Sequence, residues 1–203
     1  MTRSVPGGRG GGYPRGMAPV PEIPVLAARL AGTIAGEPPP ATASVMLCLR
    51  EGARGAEILL CRRAQRAGDP WSGHVGLPGG RVEPDDADPL AAAARETREE
   101  VGFDPLAAGT VLGMLDPLQP RAFPILIGAY VAHITEPVDL VLSEEMAAAW
   151  WTPFADLEHV SAEVPEAPTR VSAWRLPHDD AADVVLWGIT YRLLDRLLAV
   201  AAA

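Results

Sequence analysis

The stretch Gly73–Phe103, GHVGLPGGRVEPDDADPLAAAARETREEVGF, decides how the rest of the chain is read. Its second half carries the marks of a helix over Pro89–Val101. An aspartate such as Asp88 accepts hydrogen bonds from the unpaired N–H groups of a first turn, and Pro89 suits the first helical position because its missing N–H is not needed there. Gly102 suits the left-handed residue that closes a helix. At about 100° per residue, Leu90, Ala94, Thr97 and Val101 share one side, which is expected to face the core. Glu96, Glu99 and Glu100 lie at i, i+3 and i+4 and share a different face.

That acidic face is badly placed for stability. Like charges one turn apart repel, and the last turn of a helix already carries partial negative charge, where each acid costs up to about 1 kcal/mol. A divalent cation compensates naturally, because helix-spaced carboxylates offer the hard oxygens that Mg²⁺ or Mn²⁺ prefers. The competing reading is a solvated acidic face partly neutralised by Arg95 and Arg98. The preceding Gly76-Leu77-Pro78-Gly79-Gly80 favours the metal, since glycines let the main chain approach a ligand closely.

This segment resembles the Nudix box, G-x5-E-x7-R-E-U-x-E-E-x-G-U, with U a bulky aliphatic residue. Arg95-Glu96-Thr97-Arg98-Glu99-Glu100-Val101-Gly102-Phe103 matches its second half, with Thr97 and Phe103 as looser substitutes. The first half departs: Gly80 to Arg95 spans 15 positions, one more than the standard form, and Asp86 or Ala87 falls where the first glutamate belongs. That longer half is similar to the coenzyme A pyrophosphatase branch. Leu59-Leu60-Cys61-Arg62-Arg63-Ala64, Gly73–Gly80 and Trp187-Gly188-Ile189-Thr190 also resemble stretches of that branch. Glu145, six residues before Trp151, resembles a downstream glutamate–tryptophan spacing of the superfamily. One departure bears on substrate: Asp69 stands where the branch usually has a basic residue, and an acid is a poor partner for a coenzyme A phosphate.

The resemblance implies an α/β protein, a Nudix-type α/β/α sandwich with a mixed β-sheet. It implies hydrolysis of a nucleoside diphosphate linked to another group, with Mg²⁺ or Mn²⁺ as cofactor. Coenzyme A is one candidate substrate; ADP-ribose, nucleotide sugars and dinucleotides are others. An inactive nucleotide-binding module is the alternative of a different class. Glu96 and Glu100 are expected as metal ligands with Glu99 assisting and Gly80 offering its carbonyl. Arg95 is expected to orient a glutamate through a bidentate bond. The general base is expected among Glu145, Glu144 and the box glutamates. Arg62, Arg63 and Gly79 are candidates for contacting substrate phosphates, and Trp71 for stacking on a base. A homodimer is compatible with the superfamily's habits.

The remainder of the chain frames this segment. All 17 basic residues are arginine, 48% of the 203 residues are hydrophobic and 21% are charged, an ordinary globular mix that excludes wholesale disorder. Residues 1–21 hold ten Gly or Pro and are expected to be a disordered tail, with Met17 an alternative start to Met1. Residues 22–203 are expected to form one domain. Beyond residue 21, 14 arginines face 26 acids, a net charge of −12, which repels phosphate backbones and argues against nucleic-acid binding. No apolar run is long enough for a membrane span, and no secretory signal is evident. Cys48 and Cys61 lie in apolar runs, and a reduced pair in the cytoplasm is expected.

Coarse patterning predicts a helix over 22–35 with Val25, Leu26, Leu30 and Ile34 roughly on one side. It predicts strands at 43–49, 57–61, 74–77, 110–115, 125–134, 147–152, 170–176 and 184–187. Residues 51–55 read as a hairpin turn, 78–88 as a turn-rich loop, and 154–157 as a short helix. A last helix over 188–200 carries Ile189, Leu193, Leu197 and Val200 as a stripe. His133, His159 and His178 show no ligand spacing, and Trp150, Trp151, Trp174 and Trp187 are expected to pack.

Overall fold

Two-residue alternation in three apolar strands builds the central sheet. Met46 and Cys48 belong to one buried cluster, and their neighbours Leu47 and Leu49 to the other. Leu59 and Cys61 likewise part from Ile58 and Leu60, and Tyr130 and Ala132 from Ala129 and Val131. Both faces of these strands are therefore covered. The computed structural model describes residues 16–68, 71–120, 124–177 and 183–203. Its elements run β1 (Gly16–Met17), α1 (Ile23–Leu30), β2 (Ala43–Gly52), β3 (Gly55–Arg63), β4 (Val75–Gly76), β5 (Gly79–Arg81), α2 (Pro89–Val101) and β6 (Gly109–Leu118). There follow β7 (Ile127–Ile134), β8 (Met146–Pro153), a 3-10 turn (Phe154–Asp156), β9 (Glu158–Ala162), β10 (Val171–Leu176), β11 (Val184–Leu186) and α3 (Gly188–Ala202).

The larger sheet has seven strands in the order β4-β3-β2-β7-β6, with β5 also on β2 and β8 also on β3. It is mixed, because β2 runs parallel to β7 while its other pairings are antiparallel. On one face lies α2, through Ala93, Ala94 and Val101. On the other lie α1 and α3, through Leu26, Leu30, Leu193, Leu194, Leu197 and Leu198. Phe154 and Trp174 complete that second layer. Trp174 belongs to a smaller antiparallel sheet of order β1-β9-β10-β11. Among the described residues no helix is long and apolar enough to cross a membrane.

One detail positions the site. Strand β2 pairs with β3 only from Leu49 to Gly52, and β3 then departs. The edge so exposed is filled by the strip 75–81. β4 lies on β3 at Cys61 and Arg62, the Met46 N–H donates to Pro78 O at 2.9 Å, and β5 lies on β2 from Ala43 to Val45. Gly79 has φ +154°, and a Cβ there would strike the Ser44 carbonyl and the Val45 Cα. The loop expected over 78–88 therefore contains a strand whose Gly-Gly-Arg composition carries no strand propensity. The vacant hydrogen-bonding edge of β2 creates it.

Helix α2 matches the sequence reading. Asp88 caps it by accepting from the Ala91 N–H at 2.8 Å, and Gly102, at φ +85°, closes it. The first helix is shorter than expected. It ends at Leu30 because Gly32 turns left-handed and the Thr33 hydroxyl donates to Leu30 O while accepting from Met114 N–H. Ile34 is consequently 43% exposed rather than part of an apolar side. Strand β9 went unforeseen because Glu158-His159-Val160-Ser161-Ala162 is largely polar. The expected tail over 1–21 enters the fold at its far end: Gly16 and Met17 pair with β9, Ala18 N–H donates to Leu157 O and Ala18 is buried. Main-chain pairing of this kind needs no apolar side chains. Residues 1–15, Asp69 and His178 lie outside the described residues.

Gly79→Ala is expected to destabilise the protein by about 2 kcal/mol or more, from overpacking against main-chain atoms added to backbone strain. Urea denaturation measures this; a variant as stable as the parent would contradict the wedge packing.

Candidate active site

Helix α2 packs on the sheet through the small side chains of Ala93 and Ala94, with Ala92 beside them also buried. The acids of its last two turns are thereby carried up to the strip 79–81. Glu100 is 5% exposed, so the competing reading of a solvated acidic face does not hold at this position. Its Oε2 accepts the Gly79 N–H at 2.9 Å. Its Oε1 lies 3.8 Å from Arg63 Nη1. Glu96, one turn earlier, lies against Gly80 so closely that a Cβ at Gly80 would overlap its carboxylate. Glu99 points outward, with 58% of its side chain exposed, and pairs with Arg95 Nη1 at 3.1 Å.

Arg95 is the hub of a second network. Its Nε and Nη2 grip the two oxygens of Asp86 at 3.0 Å each. Nη2 also donates to Arg81 O at 3.0 Å, and Nη1 reaches Glu96 Oε1 at 3.2 Å. The bidentate bond expected between Arg95 and a glutamate is thus made to Asp86, whose shorter side chain is brought into reach by the turn at Glu83–Asp86. This hydrogen bond to Arg95 holds Asp86 below the usual carboxylate range.

The two inner glutamates are shifted the other way. Burial raises Glu96, despite Arg95. Burial also pushes Glu100 up to about 8; the Gly79 N–H and Arg63 pull against this, while Glu96 and Glu145 add to it. These are two neighbouring carboxylates that resist ionising together. Their oxygens stand beside the glycine main chain, a donor set suited to a hard divalent cation that keeps several waters. Among the described residues no three His, Cys, Asp or Glu side chains gather into a ready cage, and Glu99 is paired with Arg95 at the exposed edge. The residues present fit an ion held by the Glu96–Glu100 carboxylate pair.

The remaining candidates separate. Arg63 joins the group, between Glu100 and Glu145. Arg62 does not face that way. It alternates with Arg63 on β3, shares the side of Leu60, and lies with its guanidinium over Trp150, 5.6 Å from the ring centroid. Gly79, expected to touch substrate, uses its N–H on Glu100. Trp71 is 39% exposed and sits edge-on to His74 at 5.7 Å; His74 in turn meets Trp187 and Glu166. Arg66 was not foreseen. It binds Glu145 Oε1 at 3.3 Å, and its main chain is pinned by the Ser72 hydroxyl. Its position three residues after Arg63, where the chain turns out of β3, was the available cue.

Comparison with known proteins identifies the family. Residues 38–175 match the family described as the NUDIX domain, and the chain belongs to that family. It is 40% identical over 76 residues to Nudix hydrolase 15, mitochondrial, of Arabidopsis thaliana, covering 37% of this chain and 26% of that protein. It is 35% identical over 96 residues to the mitochondrial coenzyme A diphosphatase NUDT8 of Mus musculus, covering 47% and 44%. The chain thus spans less than half the length of either relative. Among solved structures, the MutT/nudix family protein from Enterococcus faecalis superposes with a TM-score of 0.50 at 18% identity, over 83% of this chain and 62% of that one. That likeness concerns the fold alone.

Two outcomes follow from the electrostatics. Without metal, the folded chain keeps the Glu100 proton from the ordinary 4.5 up to about 8, while the unfolded chain has released it. The folded state binds more protons across that window, so stability falls as pH rises through it, by on the order of a few kcal/mol. Thermal melts of wild type and Glu100→Gln between pH 4 and 9 test this; the slope is expected to be shallower in the variant. Asp86→Ala is expected to cost about 1–2 kcal/mol in denaturant unfolding, because Arg95 loses a bidentate partner but keeps Glu96 and Glu99.

Proposed function

We propose that this chain is a divalent-metal-dependent hydrolase that cleaves the pyrophosphate bond of a nucleoside diphosphate linked to another group. The observation that carries the proposal is the pair of the half-buried Glu96 and the buried Glu100 facing the Gly79–Gly80 main chain. In this reading Glu96 and Glu100 hold Mg²⁺ or Mn²⁺, with the Gly80 carbonyl beside them. When bound, the ion supplies Lewis acidity toward the diphosphate oxygens and the attacking water. Arg95 fixes Glu96 and Glu99 from one guanidinium and is itself fixed by Asp86. With Glu99 Oε2 so engaged, Glu99 Oε1 is assigned to accept the proton of the attacking water. Arg63 is assigned to a phosphate oxygen. Phosphoryl transfer asks little more of a protein than such positioning and charge neutralisation.

Coenzyme A is the substrate we place first, supported by similarity to a protein named as a coenzyme A diphosphatase. Asp69 weighs against it, and ADP-ribose, nucleotide sugars and dinucleotides belong in the same test. A panel of these compounds with Mg²⁺ or Mn²⁺ is expected to yield a nucleoside 5′-phosphate from at least one, which for coenzyme A is adenosine 3′,5′-bisphosphate released with phosphopantetheine. Chelation with EDTA should abolish product formation, and Glu100→Gln should lower kcat by about 100-fold or more while the protein stays folded by circular dichroism. Turnover at the wild-type rate in that variant would refute the metal assignment. Tight nucleotide binding with no turnover of any compound would favour a binding module.

A further inference from the structure

The loop entering β8 brings Glu145 into an arrangement that a free proton acceptor would not need. β8 carries an extra residue opposite β3: Arg62 pairs with Ala148 and Arg63 with Met146, leaving Ala147 between them. Such a bulge bends its strand and re-aims the flanking side chains. The start of β8 is fastened on both sides of the site, with Ala64 N–H donating to Glu145 O at 2.8 Å and Ser143 N–H to Glu100 O at 3.2 Å. In this position the two carboxylate oxygens of Glu145 face two different guanidinia, Oε1 that of Arg66 at 3.3 Å and Oε2 that of Arg63 at 4.0 Å. Arg63 reaches on to Glu100 on its other side.

We infer that Glu145 is a positioning residue, holding Arg63 and Arg66 together as a two-arginine clamp for the substrate's diphosphate, and that it is not the base. This rests on the hydrolase reading above. Arginine presents several donors in a planar fork, so one edge can be held by a carboxylate while another meets a phosphate oxygen. A long side chain immobilised beforehand loses less entropy when the ligand arrives. Arg66 also supplies a cation three residues before Asp69, the position at which the resembled branch usually has a basic residue. The clamp therefore recognises the diphosphate common to the whole substrate class.

Wild type, Glu145→Gln, Arg66→Ala and the double variant are compared in Mg²⁺. Turnover is measured on the substrate found by the panel, and binding by calorimetry with α,β-methylene-ADP, whose diphosphate bridge resists hydrolysis. Glu145→Gln is expected to raise both KM and the analogue's Kd about threefold to tenfold, with kcat within about twofold and the acid limb of the kcat–pH profile unmoved. Added to Arg66→Ala, the same change should cost clearly less than it does in wild type, because the Glu145–Arg66 contact is already lost and only the one to Arg63 remains to break. A kcat lower by about 100-fold or more with unchanged Kd, or loss of the acid limb, would make Glu145 the base and overturn the inference. Additive effects of the two changes would overturn it as well. If wild type turns over nothing, the hydrolase reading fails and the calorimetric series still decides the clamp. Variants that bind the analogue as tightly as wild type, or a wild type that does not bind it, overturn the clamp.

Discussion

The site depends on a hydrogen bond from a glycine main chain, that from Gly79 N–H to the buried Glu100 carboxylate. It exists because β2 and β3 part company and the vacated edge of β2 must find another partner. A buried edge left unpaired would strand several main-chain polar groups, each costing as much as a lost hydrogen bond. The strip 75–81 answers this demand with Pro78 O and the pairs from Ala43 to Val45. Gly79 then lies where a Cβ would meet the backbone of Ser44 and Val45. The same lack of side chains that lets the strip enter the wedge leaves its main chain open to the carboxylates.

The other half of the constraint is the helix. An inner face carrying Ala93 and Ala94 allows α2 to approach the sheet more closely than leucines would. The high alanine content of this chain reads, as composition alone, like a bias of its source. At the positions packed on the sheet it has a structural use, because small side chains there let Glu96 and Glu100 meet the glycine strip. Burial raises both carboxylates, while Arg95, which could have neutralised them, is committed largely to Asp86. The arrangement disfavours its own negative charge when empty of cations and favours it when one is present. Metal binding at such a site displaces protons, so affinity grows with pH.

Much of this was legible in the sequence because it depends on local rules. Capping and periodicity located α2, and the fold class followed from a resemblance concentrated in Gly73–Phe103. Four things were not legible. Strand β5 depends on an edge vacated by a distant strand, and β9 on partners at residues 16–17 and 171–175. Helix α1 was cut short by a contact between Thr33 and Met114, far apart in sequence. The role of Arg66 was not legible beyond its place near Arg63, because its partner Glu145 lies 79 residues away and is set by a bulge in β8. Each involves contacts remote in sequence, which composition and periodicity do not encode.

Arg62 and Arg63 show the limit most sharply. Alternation dictates that adjacent residues on a regular strand face opposite sides, so only one of the pair can join the carboxylates. The apolar pattern of β3 does not say which, because Leu59 and Cys61 on one side are as buried as Ile58 and Leu60 on the other. A strand polar on one face would have declared its outside; one covered on both faces cannot. The choice is made by α2, which lies on the side of Leu59 and Cys61 and so recruits Arg63. Arg62 is left to Trp150 and the opposite layer. The identity of the residue facing Glu100 is therefore a property of layer order, settled only when helix and sheet have packed.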